Sequence, residues 1–383
     1  MISQLKRYIS YSLLITIVLV SNSCKDDKAE EKPTIVDRAV LIYMAADNNL
    51  SIDSYKNIQE IKEGALDNLY NGKLLVYQDS KNREPRLLEI YQENNVIKEK
   101  IIRTYPDQNS ASGEVLSMVV KDAFSLYQTK SKGLMLWSHG TSWLPAQKSL
   151  WTRSFGLDGK DEMELSELKK ALPDSGFDFI IFDACLMSSV EVVYELKDKA
   201  DYIVASPNEI FSSGFPYKLI IEDMFSREAT EKYLESICNT FYSFYANDAD
   251  YANSASVSLI KTAGLDELSL LCHRLVKNGV RTVDLPNTQA MFHLKVTERP
   301  ILYDFSDFYS QLMTESEKIE MNTLLRDIII WTRSTPRIYS SSLLRTFKVD
   351  RYSGLSSYIP QEDTPQLNVW YYNLDWGKTV YAK

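Results

Sequence analysis

Cysteine, glycine, proline and histidine are all scarce in this chain of 383 residues, which has 4 Cys, 13 Gly, 12 Pro and 3 His. So few cysteines exclude a small disulfide-rich scaffold, and so little Gly and Pro excludes a collagen-like or low-complexity polymer. With 44% hydrophobic and 25% charged residues, the chain has the composition of a globular protein. Its length allows one large domain or two modest ones.

Clusters of basic residues are also missing. The 52 acidic residues outnumber the 43 basic ones, which gives a net charge of −9. Nucleic acid is therefore disfavoured as a partner, because phosphate backbones are bound by basic surfaces. The motifs HExxH, GxGxxG, GxxxxGK[ST] and GxSxG are absent too, which argues against the common zinc, nucleotide and serine-hydrolase sites.

The first 23 residues have the pattern of an export signal. Lys6 and Arg7 precede an apolar stretch at 9–20, and small polar residues follow before Cys24. Twelve helical residues rise only about 18 Å, short of the roughly 30 Å hydrocarbon core, so a signal peptide fits better than a transmembrane anchor. Loss of Lys6 and Arg7 with this leader changes the net charge from −9 to −11.

The sequence Val-Ser-Asn-Ser-Cys that ends at Cys24 resembles a bacterial lipobox, in which the cysteine becomes lipidated. Residues 24–37 include a charged, apolar-poor run that predicts a flexible tether. The Lys-Asp-Asp after Cys24 resembles the acidic signal of surface-exposed lipoproteins, and a solvated linker is the alternative. We therefore expect an exported outer-membrane lipoprotein, attached through Cys24 and exposed at the surface if this signal is active.

Short, continuous apolar runs occur at 39–46, 133–137 and 177–182, separated by stretches of helical period. Continuous rather than alternating apolar residues indicate strands that are buried on both faces of a sheet. The pattern predicts a mainly parallel sheet between two helical layers, an α/β/α sandwich. In such folds, functional residues lie outside the carboxyl ends of the strands.

The chain is predicted to divide into two parts after the tether. The sheet and its helices occupy 38–262, including a helix at 186–196. Beyond 262 the alternation weakens, and 263–383 is predicted to form a C-terminal α+β subdomain with a helix at 315–333.

Two of the predicted strands end in residues that can carry out acyl transfer. One runs into Ser138-His139-Gly140 and the other into Asp183-Ala184-Cys185. The ends of neighbouring parallel strands meet at one edge, so we expect the His139 imidazole to lie within reach of the Cys185 thiol. The order, His first and Cys roughly 50 residues later, is also the caspase order.

Four segments together resemble the clostripain family of cysteine peptidases, in the caspase-like clan: 43–50 (YMAADNNL), 136–140 (LWSHG), 182–187 (FDACLM) and 214–217 (GFPY). The resemblance implies a caspase-like fold, His139 and Cys185 as the catalytic dyad, and cleavage after a basic P1 residue. It also implies that Asp183 lies at the floor of the S1 pocket. From the residues alone, Asp183 could instead cap the following helix.

Other roles at the site follow from the chemistry of a thioester mechanism. Backbone N–H groups must stabilise the oxyanion, and we expect them at Gly140, which lacks a Cβ, and at Cys185, at the start of the predicted helix. Family members often have a second acid in the S1 pocket, a charge that Glu209 could supply here.

The polar loop after His139 is the region in which family members are often activated by self-cleavage. The resemblance makes Arg153 the candidate site, with Lys148 and Lys160 next, and a solvated loop is the alternative. The acidic stretches 158–164 and 248–250 lack the ligand spacing of an EF-hand, so no metal site or cofactor is predicted and calcium is left open.

The sequence thus predicts a monomeric, lipid-anchored cysteine endopeptidase whose partners are protein or peptide substrates. One alternative is a non-catalytic surface-binding lipoprotein on the same fold, with a sugar- or peptide-binding face formed by Trp370, Tyr371, Tyr372 and Trp376. The other is a cysteine hydrolase or transpeptidase with non-basic specificity. The presence of both His139 and Cys185 favours an enzyme.

Overall fold

The computed structural model of the protein describes residues 35–66, 69–145, 154–278, 283–295 and 297–382. The strands are β1 (Ile35–Ala46), β2 (Gly72–Ser80), β3 (Arg83–Glu93), β4 (Val96–Thr104), β5 (Gln128–Trp137), β6 (Phe155–Asp158), β7 (Asp161–Met163), β8 (Phe177–Asp183), β9 (Ala200–Ala205), β10 (Ser256–Lys261), β11 (Ala290–His293), β12 (Pro300–Asp304), β13 (Ile329–Ser334), β14 (Arg337–Ser340), β15 (Arg345–Lys348) and β16 (Ser356–Tyr358). The α-helices are α1 (Ser51–Gly64), α2 (Gly113–Phe124), α3 (Leu165–Ala171), α4 (Val190–Glu195), α5 (Tyr217–Met224), α6 (Thr230–Ala246), α7 (Leu265–Lys277), α8 (Phe305–Ser310), α9 (Glu315–Ile328), α10 (Pro365–Tyr371) and α11 (Asp375–Val380).

A nine-stranded sheet crosses the described part of the chain in the order β13-β10-β9-β8-β5-β1-β2-β3-β4. The central strands β9, β8, β5, β1 and β2 are parallel, and the strands added on both sides are antiparallel. Side chains 39–46 of β1 are completely buried, as expected for a strand covered on both faces.

Helices cover both faces of this sheet. Apolar side chains of α1, α5 and α6 pack on one face, and those of α2, α3, α4 and α7 pack on the other together with C-terminal helices. The predicted α/β/α sandwich with a mainly parallel sheet is therefore confirmed.

The segment after residue 262 contributes to this sheet. The helix predicted at 315–333 is wrong at its end, because α9 stops at Ile328 and the following run of β-branched and aromatic residues forms β13. Strand β13 pairs with β10 in antiparallel fashion. The domain boundary after 262 stays a prediction.

The helix predicted at 186–196 is also wrong at its start. Residues 184–188 form turns, and α4 begins at Val190, where the Ser189 side chain caps it. Leu186 has a φ of 66°, and its N–H donates to Asn208 O (3.0 Å) instead of to a helical carbonyl. The loop at 206–208 thus holds the residues after Cys185 out of the helix.

The aromatic face suggested near the C-terminus is not a continuous surface. Tyr371 and Trp376 are completely buried in the core, whereas Trp370 and Tyr372 are 45% and 44% exposed. In the described part of the chain, no helix is both long and apolar enough to cross a bilayer.

Candidate active site

A cleft of about 280 Å³ lies at the carboxyl ends of β5 and β8. Trp137 at the end of β5 is paired with Asp183 at the end of β8, so His139 and Cys185 each stand two residues beyond this pair. Both residues line the cleft, together with Asp183 and Glu209. The structure thus brings together the side chains that the strand ends predict as neighbours.

Cys185 is half-buried in the turn after β8. Its Sγ accepts a hydrogen bond from Ile210 N (3.3 Å) and can donate one to Ile210 O (3.6 Å). Burial, reinforced by the negative charge of Glu209, raises the pKa of the Cys185 thiol to about 12. The thiol is therefore protonated at neutral pH when no substrate is bound.

The His139 ring is held by Asn49, whose Oδ1 lies 2.9 Å from Nε2. An amide oxygen only accepts hydrogen bonds, so this contact favours the neutral tautomer that carries the proton on Nε2, with Nδ1 as the basic nitrogen. The loop that carries Asn49 is fixed by its neighbour Asn48, whose Nδ2 donates to Ala45 O (3.0 Å) and Leu157 O (2.7 Å).

Gly140 lies directly against the backbone of Cys185. A Cβ added to Gly140 would come within 2.8 Å of Cys185 O, so this close approach requires glycine. Within the described residues, neither the Gly140 N–H nor the Cys185 N–H donates a hydrogen bond to another protein group. Two N–H donors are thus available to a substrate oxygen, although the Cys185 amide lies in a turn and not at a helix start as predicted.

Asp183 is only 3% exposed and lines the cleft. Its Oδ2 accepts hydrogen bonds from Phe215 N (3.1 Å) and Tyr217 Oη (2.7 Å). Burial raises the pKa of the Asp183 carboxyl to about 7, against the opposing effect of these two hydrogen bonds. Gly214, with a φ of 70°, leaves no room for a Cβ beside Oδ2. The side chain that caps α4 is Ser189, so Asp183 has no capping role there.

Glu209 lies at the rim of the cleft, and both of its carboxylate oxygens are occupied. One accepts from Ser341 N (3.1 Å) and the other from Ser341 Oγ in a short hydrogen bond. Ser341 follows β14, and the ring of Tyr339 in that strand stacks on Phe211 at 5.9 Å. The β14–β15 hairpin therefore forms one wall of the cleft.

A family model for the clostripain family matches residues 42–378 of the chain. The chain belongs to the clostripain family. Because this is a family of cysteine peptidases, the protein is a cysteine peptidase, a hydrolase with peptide substrates.

Solved structures of clostripain-family enzymes have the same fold. An inactive zymogen of a C11 protease from Parabacteroides distasonis is 38% identical, with a TM-score of 0.81 over 91% of this chain and 99% of that chain. A secreted C11 cysteine protease from Bacteroides thetaiotaomicron, solved with an irreversible peptide inhibitor, is 29% identical, with a TM-score of 0.79 over 90% of this chain and 99% of that chain. No curated protein matches the chain.

Several residues of this clostripain-family cleft were not predicted. Asn49 lies within the segment 43–50 that carried the resemblance, so a signal existed, but a lone Asn is not diagnostic. Tyr339 and Ser341 come from a short hairpin far along the chain, and no local pattern linked them to the site.

Some predicted positions fall outside the described residues. These are the lipidation candidate Cys24 and the self-cleavage candidates Lys148 and Arg153. Among the residues that the structure does describe, no three His, Cys, Asp or Glu side chains converge in a way that could hold a metal ion.

Proposed function

We propose that the protein is an exported, lipid-anchored endopeptidase that cleaves peptide bonds after Arg or Lys through Cys185 and His139. The observation that carries this proposal is that Cys185, His139 and the buried carboxyl of Asp183 line one cleft at the strand ends. Thiol, imidazole and carboxyl are the groups needed for nucleophilic attack, proton transfer and recognition of a cationic side chain.

The reaction begins with proton transfer from Cys185 Sγ to His139. With Nε2 bonded to Asn49, Nδ1 accepts this proton. The thiolate attacks the scissile carbonyl carbon, and the resulting oxyanion accepts hydrogen bonds from the N–H groups of Gly140 and Cys185. When the C–N bond breaks, His139 returns the proton to the leaving amine and a thioester remains. Water then attacks the thioester with His139 as base, which releases the acid and restores the thiol.

The P1 preference is assigned to Asp183. An Arg or Lys side chain that enters the cleft would meet a carboxyl already oriented by Phe215 N and Tyr217 Oη. The positive charge favours the ionised form of this carboxyl, which offsets the cost of its burial. Glu209 adds a negative charge at the rim, although Ser341 holds its oxygens.

Fluorogenic peptides with Arg, Lys, Ala or Asp at P1 test the activity, with calcium present or chelated. We expect turnover after Arg and Lys only, and loss of turnover in Cys185→Ala and His139→Ala. The chelated samples show whether activity needs calcium, which the sequence leaves open. Cleavage after non-basic residues alone would assign a different hydrolase specificity. Absence of any Cys185-dependent turnover, even after limited proteolysis, would contradict the proposal.

Anchoring through Cys24 and activation by self-cleavage complete the proposal. The Parabacteroides relative is an inactive zymogen, which supports a latent form here as well. We expect wild-type protein, but not Cys24→Ser, in the outer-membrane fraction. Mass spectrometry should show a cut after Arg153 or Lys148 in wild type and an intact chain in Cys185→Ala. A fully active, uncut wild type would contradict self-cleavage.

A further inference from the structure

A second cavity, of about 360 Å³, lies away from the catalytic cleft. Its walls come from α2 and from residues 170–177, which lead into β8. Phe177 is the first residue of β8, whereas Cys185 follows the last residue of that strand. The cavity thus lies at the amino ends of the parallel strands, and the cleft lies at their carboxyl ends.

Three lysines line this cavity: Lys121, Lys132 and Lys170. Among the described residues, none of the three forms an ion pair, although nearby lysines do: Lys130 with Asp37, Lys169 with Glu195 and Asp375, and Lys199 with Asp174. Asp178, the acid beside Lys132 in the sheet, accepts a hydrogen bond from the Lys132 backbone N (2.9 Å) and one from Ser131 Oγ. In a chain with a net charge of −9, this cavity is thus lined by three lysines that have no ion-pair partner among the described residues.

The rest of the cavity wall is largely apolar. The rings of Phe124 and Phe177 meet edge to face at 5.7 Å, and the Lys132 Nζ lies 5.6 Å from the centre of the Phe124 ring. Pro173 extends this apolar surface, with the buried Leu172 behind it. A ligand that fits both features has a compact anionic group and an apolar part.

We propose that this lysine pocket binds a phosphate-bearing amphiphile. A phosphate monoester carries close to two negative charges at neutral pH, so it can engage several ammonium groups at once, whereas a carboxylate carries one. The apolar part would pack on Phe124 and Pro173, the more accessible apolar side chains of the wall. This binding is independent of peptidase activity.

The phosphate can belong to a membrane lipid or to a soluble compound. The described chain enters at Ile35, which is paired with Gln128 at the start of the strand that carries Lys132. The pocket therefore lies at the same ends of the strands as Ile35, where the predicted tether joins the sheet. If Cys24 is lipid-anchored as proposed, the tether connects this side of the domain to the membrane. A lipid source rests on that anchor, and a soluble source does not.

The test uses the full mature chain with Cys24→Ser, so that no acyl chain is attached. Dihexanoyl phosphatidic acid below its micelle concentration is titrated calorimetrically, with inorganic phosphate as a second ligand. We expect saturable binding of the amphiphile, with a dissociation constant at least about ten-fold higher in the Lys121→Gln/Lys132→Gln/Lys170→Gln variant, because three charged contacts are removed. The matched control Lys56→Gln/Lys218→Gln/Lys232→Gln changes the net charge equally at exposed, paired lysines and should bind like wild type.

Vesicles of phosphatidylcholine with and without phosphatidic acid identify the source. Binding only to the acidic vesicles assigns a membrane lipid, and binding of the monomeric amphiphile alone assigns a soluble compound. The proposal would be overturned if the amphiphile did not bind, or if the control variant weakened its binding as much as the triple variant does. It would also be overturned if inorganic phosphate bound as tightly as the amphiphile. If the triple variant does not fold, the exposed single variants Lys121→Gln and Lys170→Gln replace it. Peptide hydrolysis by the same samples should be unchanged, which separates this test from that of the proposed peptidase.

Discussion

At the scale of single residues, the proposed nucleophile, Cys185, is not activated in the described cleft. The Cys185 thiol is hydrogen-bonded to the Ile210 backbone, and burial and the Glu209 charge raise its pKa to about 12. In the proposed mechanism, proton transfer to His139 therefore accompanies substrate binding. Residues that orient His139 or set the charge around Cys185 should control the rate.

Replacement of Asn49 by alanine should lower kcat/KM by roughly ten- to a hundred-fold, less than loss of the proposed general base, His139. The reason is that the 2.9 Å contact fixes the orientation and tautomer of His139. Asn49→Asp, which keeps an acceptor, should recover part of the activity with a shifted pH profile. Stability should change little, since Asn49 is exposed. Equal activity of Asn49→Ala and the remote control Asn373→Ala would rule out this role.

The proposed preference for basic P1 residues should weaken below pH 7. Burial raises the pKa of Asp183 to about 7, so the carboxyl is neutral below that pH and cannot attract a cation. The ratio of kcat/KM for Arg and Ala peptides cancels the ionisation of Cys185 and His139 and isolates this effect. We expect the ratio to fall as pH drops from 8 to 5 in wild type. In Asp183→Asn it should be lower by about a hundred-fold at pH 8 and independent of pH. A constant wild-type ratio would contradict the assignment.

Replacement of Glu209 by glutamine should lower the pKa of the Cys185 thiol, because one of the negative charges that disfavour the thiolate is removed. The pH dependence of Cys185 alkylation by iodoacetamide measures this pKa directly. The midpoint should move to lower pH in Glu209→Gln and stay in place in the exposed control Glu362→Gln. An unchanged midpoint in both variants would show that burial alone sets the thiol pKa.

At the scale of secondary-structure elements, strand ends were predictable from sequence and loop contacts were not. The continuous apolar runs at 133–137 and 177–182 place His139 and Cys185 at one edge, because parallel strands align their carboxyl ends. The turn after Cys185 was missed because it depends on hydrogen bonds from Leu186 and Ser188 to Asn208 and Ser206, which are distant in sequence. The β14–β15 wall was missed for the same reason.

Two carboxyls also interact near the site: Asp79 at the end of β2 and Asp158 at the end of β6. Burial, followed by the charge of Asp158, raises the pKa of Asp79 to about 7. Asp79 is 2% exposed and its Oδ2 has no hydrogen-bond partner in the described structure. Asp158 accepts from Ser110 N (2.6 Å) and Ser110 Oγ (3.1 Å), so the pair joins β2, β6 and the loop before α2.

Replacement of Asp79 by asparagine should stabilise the protein at pH 8 and stabilise it less at pH 5. An acid whose folded-state pKa is raised binds a proton on folding, so wild-type stability falls as pH rises from about 4 to 7 and stays lower above that. Asparagine removes this loss, and we expect a gain on the order of 2 kcal/mol at pH 8. Thermal unfolding at both pH values measures it. The exposed control Asp327→Asn should show no such difference, and equal stability of Asp79→Asn and wild type at pH 8 would refute the prediction.

At the scale of the whole molecule, the C-terminal segment is part of the core that supports the cleft. Strand β13 extends the central sheet. The Trp376 ring in α11 packs edge to face on Tyr194 of α4 at 5.3 Å, and α4 follows the turn that carries Cys185. Lys169 bridges Glu195 of α4 and Asp375 at the start of α11. The composition of 263–383 did not predict this, because its alternation is weak and its partners lie earlier in the chain.

Two tryptophans in this segment allow a matched test of that role. Trp376 is completely buried and Trp370 is 45% exposed. Trp376→Ala should therefore lower the free energy of unfolding by about 3–5 kcal/mol, whereas Trp370→Ala should cost under about 1 kcal/mol. Because α11 supports α4, Trp376→Ala should also reduce peptide hydrolysis at temperatures where wild type is fully folded. Denaturant unfolding and activity of the same samples check both effects. A single cooperative unfolding transition of Trp376→Ala, with parallel loss of activity, would show that the two parts of the chain fold as one unit. If residues 263–383 instead unfold in a separate early transition that leaves hydrolysis intact, they form an independent subdomain.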